Sequence, residues 1–478
     1  METERKIYIG GSVMKKRMLI VGPLSSRSGY GDHARDLFHS FYNLNKFDIK
    51  VFDVRWGGCP RNALDEDTPK NKIIKDIIID DIQKYGAQPD IYVDIRIPNE
   101  FQTIGKFNIG ITAGIETTAV SGLWLEGCNK MDLIIVPSEH SKGSFVNSKF
   151  DKLQETPQGP QKLGELTLQK PMEVVFEGSD LDVFKPLKYD EIDSEFFDML
   201  NETVPEKEAF LSVGQWVKGN YGEDRKDIAR MIKIFYETFA NESKKPALIL
   251  KTSGATLSLL DKVDIKRKIL QIKAAFPSNV KLPNVYLLHG DLSSEEMNYL
   301  YNHPKVKSLV TFTHGEGFGR PMLEATLVGL PVMASNWSGQ VDFLSEDHSL
   351  LIGGKLDKVP QSAVWENIIV PESQWFTIDE NQASHLFKFA SQNHYDLKTK
   401  AKKLMKINRE KFSHDSMTKK IGEIMDKYTS DMPENKALKL PKLKMMDSDD
   451  SPSVDMSQFD NALKKVGVEP NKYIEGVE

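Results

Sequence analysis

Two glutamates, Glu316 and Glu324, sit in a run of alternating glycines, THGEGFGRPMLEATLVGLPVMAS, from Thr313 to Ser335. Paired carboxylates can grip hydroxyl groups or face a developing positive charge, provided the surrounding backbone lets a ligand approach. Gly315, Gly317 and Gly319 supply that approach and permit positive φ. The apolar, β-rich run Ser308 to Phe312 precedes them, so the stretch reads as strand, glycine turn, short helix and strand. Pro321 suits a first helical turn, and Gly329 followed by Pro331 marks its end. Glu316 then lies in the loop, and Glu324 leans back toward it from the first turns of the helix. With His314 and Phe318 they form one wall of an expected site at the carboxyl end of a strand.

Arg225 and Lys226 fall where an amphipathic helix opens, after a strand AFLSVGQW that ends near Gly214 and Gln215. Two cations beside helix N–H groups suit a diphosphate; a solvated basic pair is the competing reading. Lys251 ends the next strand, ALILKT, and Gly290 and Leu292 follow VYLLHG, on the same edge. Near the start, RMLIVG runs into a loop with Gly29, Tyr30 and Gly31, where Asp32 is expected to cap a helix whose N–H groups favour an anion. In the same half, the strand FNIGIT leads to Glu116, Thr117 and Thr118.

EGFGRPMLE, followed by E-A-x-x-x-G-x-P-V, resembles the Glu, seven residues, Glu motif of retaining GT-B glycosyltransferases, especially family 4. Trp124, Asn129, Asp132, Pro137 and Ser138 match a second pattern of that family, although ordinary packing is the favoured reading for Trp124. Gly178, Asp180, Phe184 and Pro186 match a third. The likeness runs from Arg17 to Tyr428 and is tighter in the second half. It implies an α/β fold of the GT-B kind: two doubly wound Rossmann-like domains facing a central cleft. Residues 1–190 would form the acceptor side and 208–411 the donor side. A helix at about 412–428 would cross back to the first domain, and 429–478 would be a flexible charged tail.

The resemblance further implies that Glu324 binds ribose hydroxyls, Glu316 faces the transferred sugar, and Lys226 holds the diphosphate. Gln215 stands where relatives commonly have an arginine, for which Arg225 is a candidate replacement; Glu116 stands where many have a histidine. The donor would be a UDP- or GDP-sugar, with no further cofactor and no metal required. The acceptor would be a hydroxyl of a saccharide, a lipid-linked sugar or a modified base in phage DNA. A nucleotide-sugar epimerase and a non-catalytic binding subunit are the alternatives on the same fold.

The totals set bounds. A chain of 478 residues has room for two or three domains. Its net charge of −6 offers no global basic field for nucleic acid. Two cysteines, Cys59 and Cys128, suggest neither a disulfide framework nor a zinc site. No run approaches the roughly 18 apolar residues of a membrane span, and the first residues lack a signal peptide's apolar core. A cytoplasmic setting without stable membrane insertion is therefore expected. Four local readings complete the expectation: a helix over Ile73 to Tyr85, a surface loop over Asp151 to Lys170, an irregular connection over Leu187 to Lys207, and helices from Trp375 onward.

Overall fold

The computed structural model describes residues 13–156, 159–217, 221–254, 257–433 and 435–436. Beyond its first residues, which end the last helix and the turn after it, the stretch read as a charged tail lies largely outside the described residues. The chain divides into two units. In the small one, β1 (Val13–Met14) pairs antiparallel with β18 (Asn435–Lys436). The large one, residues 15–434, contains two six-stranded parallel sheets among the described residues.

The first sheet has the order β3 (Phe47–Asp53), β2 (Lys16–Gly22), β4 (Ile91–Ile95), β5 (Phe107–Ile111), β6 (Leu133–Val136) and β9 (Met172–Val174). Its inner strands β4, β5 and β6 are almost wholly apolar and buried, as helices on both faces require, while the edge strand β3 carries Asp48, Lys50 and Asp53. The second has the order β12 (Val285–Leu288), β11 (Ala247–Ser253), β10 (Ala209–Gln215), β13 (Val306–Thr311), β14 (Val332–Ser335) and β15 (Leu350–Ile352). Strand order reverses between β10 and β13, and such a switch point opens a crevice at the strands' carboxyl ends.

Helices cover these sheets for reasons legible in their spacing. The helix α1 (Gly29–Asn43) buries Ala34, Leu37, Phe38 and Phe41. Its cap is Ser28, whose side chain accepts from the Gly31 N–H; Asp32, the expected cap, lies within the first turn. A shorter helix, α2 (Pro69–Lys75), replaces the one expected to reach Tyr85; the chain after it crosses to bridge β3 at Ile78. α3 (Gly122–Lys130) and α4 (Glu139–Asn147) flank β6, and α4 is capped by Ser138. The polar stretch read as a loop is a hairpin, β7 (Phe150–Thr156) with β8 (Gly159–Leu166). Most described residues of β8 face solvent, so no apolar alternation announced it.

The connection expected to be irregular contains α5 (Ser194–Thr203), whose Phe196 and Leu200 enter the core of the second half. There α6 (Ile228–Phe239), α7 (Leu259–Ala274), α8 (Ser294–Asn302) and α9 (Arg320–Leu327) alternate with the strands. β16 (Gly354–Lys358) pairs antiparallel with β17 (Gln374–Ile378), so Trp375 to Ile378 is strand and not helix. Asp379 then caps α10 (Glu380–Gln392), followed by α11 (His394–Lys411) and α12 (His414–Thr429). Met417, Ile421, Ile424 and Met425 of α12 are buried in the core of the first half, which confirms the returning helix.

Candidate active site

Lys226 and Glu316 meet at the switch point of the second sheet. The loop after β10 delivers Arg225 and Lys226, and the loop after β13 delivers Glu316. The Lys226 ammonium donates to Glu316 Oε1. Arg225 Nη1 stands 3.6 Å from Glu316 Oε2 and 2.8 Å from Glu116 Oε1. Glu116 comes from the loop after β5, so these four charges join the two halves.

Local structure fixes each of them. The Arg225 carbonyl accepts from the His314 N–H at 2.9 Å, and Asp227, at φ 49°, turns the chain into α6. The Glu316 N–H donates to Ser338 Oγ at 2.9 Å. A Cβ on Gly214 would lie 3.4 Å from the Lys226 side chain, so the glycine leaves that side chain its path. Gln215, by contrast, is exposed at the end of β10. Burial opposes ionisation of Glu316, but Lys226 and Arg225 outweigh it and hold the carboxyl below its ordinary range. Burial likewise opposes the charge of Arg225, and Glu116 and Glu316 raise its pKa regardless.

The alternating glycines serve the contact between halves. A Cβ on Gly315 would meet the Glu116 carbonyl oxygen at 1.9 Å, and one on Gly317 the Ala113 carbonyl oxygen at 2.1 Å. Ser138 Oγ donates to the Gly317 carbonyl at 2.6 Å. Thr118 N–H donates to the Gln374 carbonyl, and the Gln374 N–H donates to Thr118 Oγ1, both at 2.9 Å. This edge of the crevice is closed. Gly319, at φ 104°, sets the left-handed turn that starts α9.

Glu324 occupies a second bridge. It accepts from the Tyr301 hydroxyl and from Arg320 Nε, both at 3.1 Å, and burial pushes its pKa up to about 7. Arg320 also donates from Nη1 to Asp36 Oδ2 on α1 at 2.5 Å. His414 Nε2 lies 3.0 Å from the other Asp36 oxygen. Burial opposes ionised Asp36, but Arg320 and His414 hold its carboxyl far below the ordinary range. Nearby Glu177 is buried, and burial raises its pKa to about 8 even though Arg320 works the other way. Sequence reasoning missed Arg320, Tyr301, Asp36 and Glu177. Only Arg320 offered a signal, by its place four residues before Glu324.

Other expected residues are spread around this centre. Lys251 Nζ donates to the Gly290 carbonyl at 2.7 Å, and Leu292 packs on the core of the second half. Asp291, between them, comes within 3.8 Å of Arg27 from the first half. The Tyr30 hydroxyl pairs with Thr112 Oγ1 at 2.7 Å, and its ring stacks on Trp56 at 4.0 Å. A Cβ on Gly31 would meet the Ser26 carbonyl oxygen at 2.1 Å, whereas Gly29 has open space around it. His314 and Phe318 point into protein. The His314 ring stacks on Trp375 at 4.1 Å, with its nitrogens 2.6 Å from the Phe376 carbonyl oxygen and 3.1 Å from that of Gly222. Phe318 packs against Phe343 and Phe412.

The second motif is a set of clamps. Trp124 is buried against Phe145. Asn129 holds the Thr167 carbonyl, and Asp132 accepts the Asn108 N–H.

No protein-family model matches the chain, and no curated protein matches it. Solved structures do. HepE from Anabaena, in complex with UDP and glucose, is 13% identical, with a TM-score of 0.54 over 86% of this chain and 100% of that one. Sucrose-phosphate synthase from Thermosynechococcus elongatus is 13% identical, with a TM-score of 0.57 over 87% and 100%. A UDP-forming trehalose-phosphate synthase from Burkholderia xenovorans, in complex with glucose-6-phosphate, is 10% identical, with a TM-score of 0.53 over 86% and 100%. The fold is GT-B. At these identities the likeness establishes the arrangement of the two Rossmann-like halves; what this chain does is argued from its own residues.

Proposed function

We propose that the chain is a retaining glycosyltransferase of the family 4 kind, moving a sugar from a UDP- or GDP-sugar to a hydroxyl acceptor. The observation that supports this most is the Arg225–Lys226 pair at the switch point, facing Glu316 from its own half and Glu116 from the other. Residues 1–190 would hold the acceptor and 208–411 the donor. The HepE complex with UDP and glucose favours a uridine nucleotide, by analogy of fold alone.

In this reading Arg225 and Lys226 offset charge on the departing nucleoside diphosphate, where fixed cations help the transition state most. Glu324 accepts hydrogen bonds from the ribose hydroxyls, with Tyr301 and Arg320 fixing its orientation. Glu316 faces the sugar. The acceptor oxygen bonds to the anomeric carbon on the face from which the phosphate leaves, and a phosphate oxygen takes the acceptor's proton. Configuration is thereby retained. With two cations on the diphosphate, no metal is needed for charge neutralisation. The closed edge between Gly317 and the loop after β5 limits the entry of water.

Product mass spectrometry tests the proposal. A panel of nucleotide sugars offered with saccharide, lipid-linked and hydroxymethylated-DNA acceptors should yield one glycosylated product with retained configuration. Inversion at the anomeric carbon, or no transfer and no nucleotide binding across the panel, would overturn it. EDTA should leave turnover within about twofold, whereas a bound catalytic metal would cost orders of magnitude.

A further inference from the structure

A helix that covers a sheet needs one apolar face, and α7 has two. Ile265 and Ile269 face inward and are buried. On the outside, Leu259, Leu260, Val263 and Leu270 are between 56 and 81% exposed. Leu259, Val263 and Leu270 recur at helical spacing on one face, with Lys266 set between Val263 and Leu270. Each is followed three residues later by a lysine: Lys262, Lys266 and Lys273. Residues 259–274 hold five cations (with Arg267 and Lys268) and two acids, Asp261 and Asp264, a local charge of +3 in a chain of −6.

We propose that the outer face of α7 docks on an anionic phospholipid bilayer. Apolar side chains flanked by lysines, whose stems reach along the apolar surface while the ammonium stays among headgroups, are how a helix lies in a membrane interface. A second copy of the chain fits less well. An antiparallel twofold contact would set the lysine row against the same row of its mate.

An adjoining cavity of about 770 Å³ widens the surface. It lies between α6 and α7, and Trp216, Phe276, Lys233 and Lys268 are among its lining. Lys268 Nζ stands 5.4 Å over the Trp216 ring. Lys233 pairs with Glu237 in the same lining at 3.0 Å and Lys268 with Asp264 at 3.1 Å, so an anionic headgroup there would compete with these carboxylates, while Arg267 adds a further cation. On the inward side of α7, Asp261 holds the Gly254 N–H at 2.7 Å and His289 Nε2 at 3.0 Å, beside Gly290. Docking through α7 would therefore bring the rim of the crevice close to the bilayer. No helix among the described residues is long and apolar enough to cross a membrane, so the attachment would be to one leaflet.

Flotation of the full chain with vesicles tests this without any transfer assay, so it stands apart from the fate of the functional reading. Binding to 70:30 phosphatidylcholine–phosphatidylglycerol should be at least tenfold tighter than to pure phosphatidylcholine. The double change Leu259→Gln with Leu270→Gln should reduce it about tenfold or more. Replacing Lys262, Lys266 and Lys273 by Gln should weaken it by about fivefold per lysine and flatten its salt dependence. All of these positions are exposed or partly so, and thermal melting should stay unchanged. Absence of vesicle binding, or equal binding by these variants and the parent, would overturn the proposal. A concentration-dependent dimer that Leu270→Glu dissociates would overturn it too, by assigning the stripe to a second copy.

Discussion

Glu316 is an ionised carboxylate in a place where burial alone would neutralise it; Lys226 and Arg225 decide the outcome. Replacing Glu316 or Lys226 with Ala should lower turnover by about 10²–10³-fold, the usual cost of removing one fixed charge from a transfer site. Circular dichroism should show the fold intact, and parental turnover in either variant would sink the assignment. Glu177 makes a different prediction. Burial raises its pKa from 4.5 to about 8, so the folded protein holds that proton more tightly than the unfolded chain does. Its stabilising contribution is complete below the unfolded value and is lost as pH rises through 8. Glu177→Gln should therefore gain about 1–3 kcal/mol over the parent at pH 9 in urea denaturation, and the gain should vanish near pH 5. Glu316 and Lys226 were singled out by residue type and place in a motif, Arg225 only as a candidate replacement and Glu116 as a departure from the pattern; the structure brings these four side chains together. Asp36 and Tyr301 were not singled out. Asp36 meets Arg320, 284 residues away across the crevice, and Tyr301 meets Glu324, 23 residues on in the same half; no local pattern encodes either partner.

Among the elements, the glycine turn between β13 and α9 joins the two halves. Gly317→Ala would press a methyl group onto the Ala113 carbonyl, so loop or halves must part. We expect a stability loss of about 2 kcal/mol by thermal melting. If the second half holds the donor, as proposed, nucleotide affinity should fall less than turnover does; equal losses would contradict that division. The parallel strands and most helices could be read from apolar runs and 3.6-residue spacing. The β7–β8 hairpin could not, since its exposed faces need no apolar alternation. Trp375 to Ile378 was misread because four strand residues run directly into the cap and first turn of α10. In α5 the buried pair Phe196 and Leu200, one helical turn apart, was obscured by acidic neighbours.

For the molecule as a whole, the halves are tied by α12 and by the Asp36–Arg320–Glu324 bridge. Asp36→Asn would leave Arg320 and His414 facing a neutral group in a buried place. Denaturant titration should show a loss of about 3 kcal/mol. Nucleotide affinity should also drop, because Arg320 orients Glu324; an unchanged affinity would separate the bridge from the donor site. The GT-B arrangement itself was legible: the two series of strands left a clear pattern, and the returning helix followed from the resemblance. The closed state was not, because it depends on backbones meeting at Gly315 and Gly317.

The contacts of Arg225 and Lys226 have one more consequence. With Glu116 and Glu316 they make a quartet whose formal charges cancel, so each cation has a carboxylate as its counter-ion. If a nucleotide sugar is the donor, as proposed, its entry is an anion exchange: the diphosphate takes over the cations and the two carboxylates are displaced. On that reading, displacement would free Glu316 to turn to the sugar and Glu116 to meet the acceptor. Ordered binding is then expected, donor before acceptor, and calorimetry should find acceptor affinity only once the diphosphate is in place.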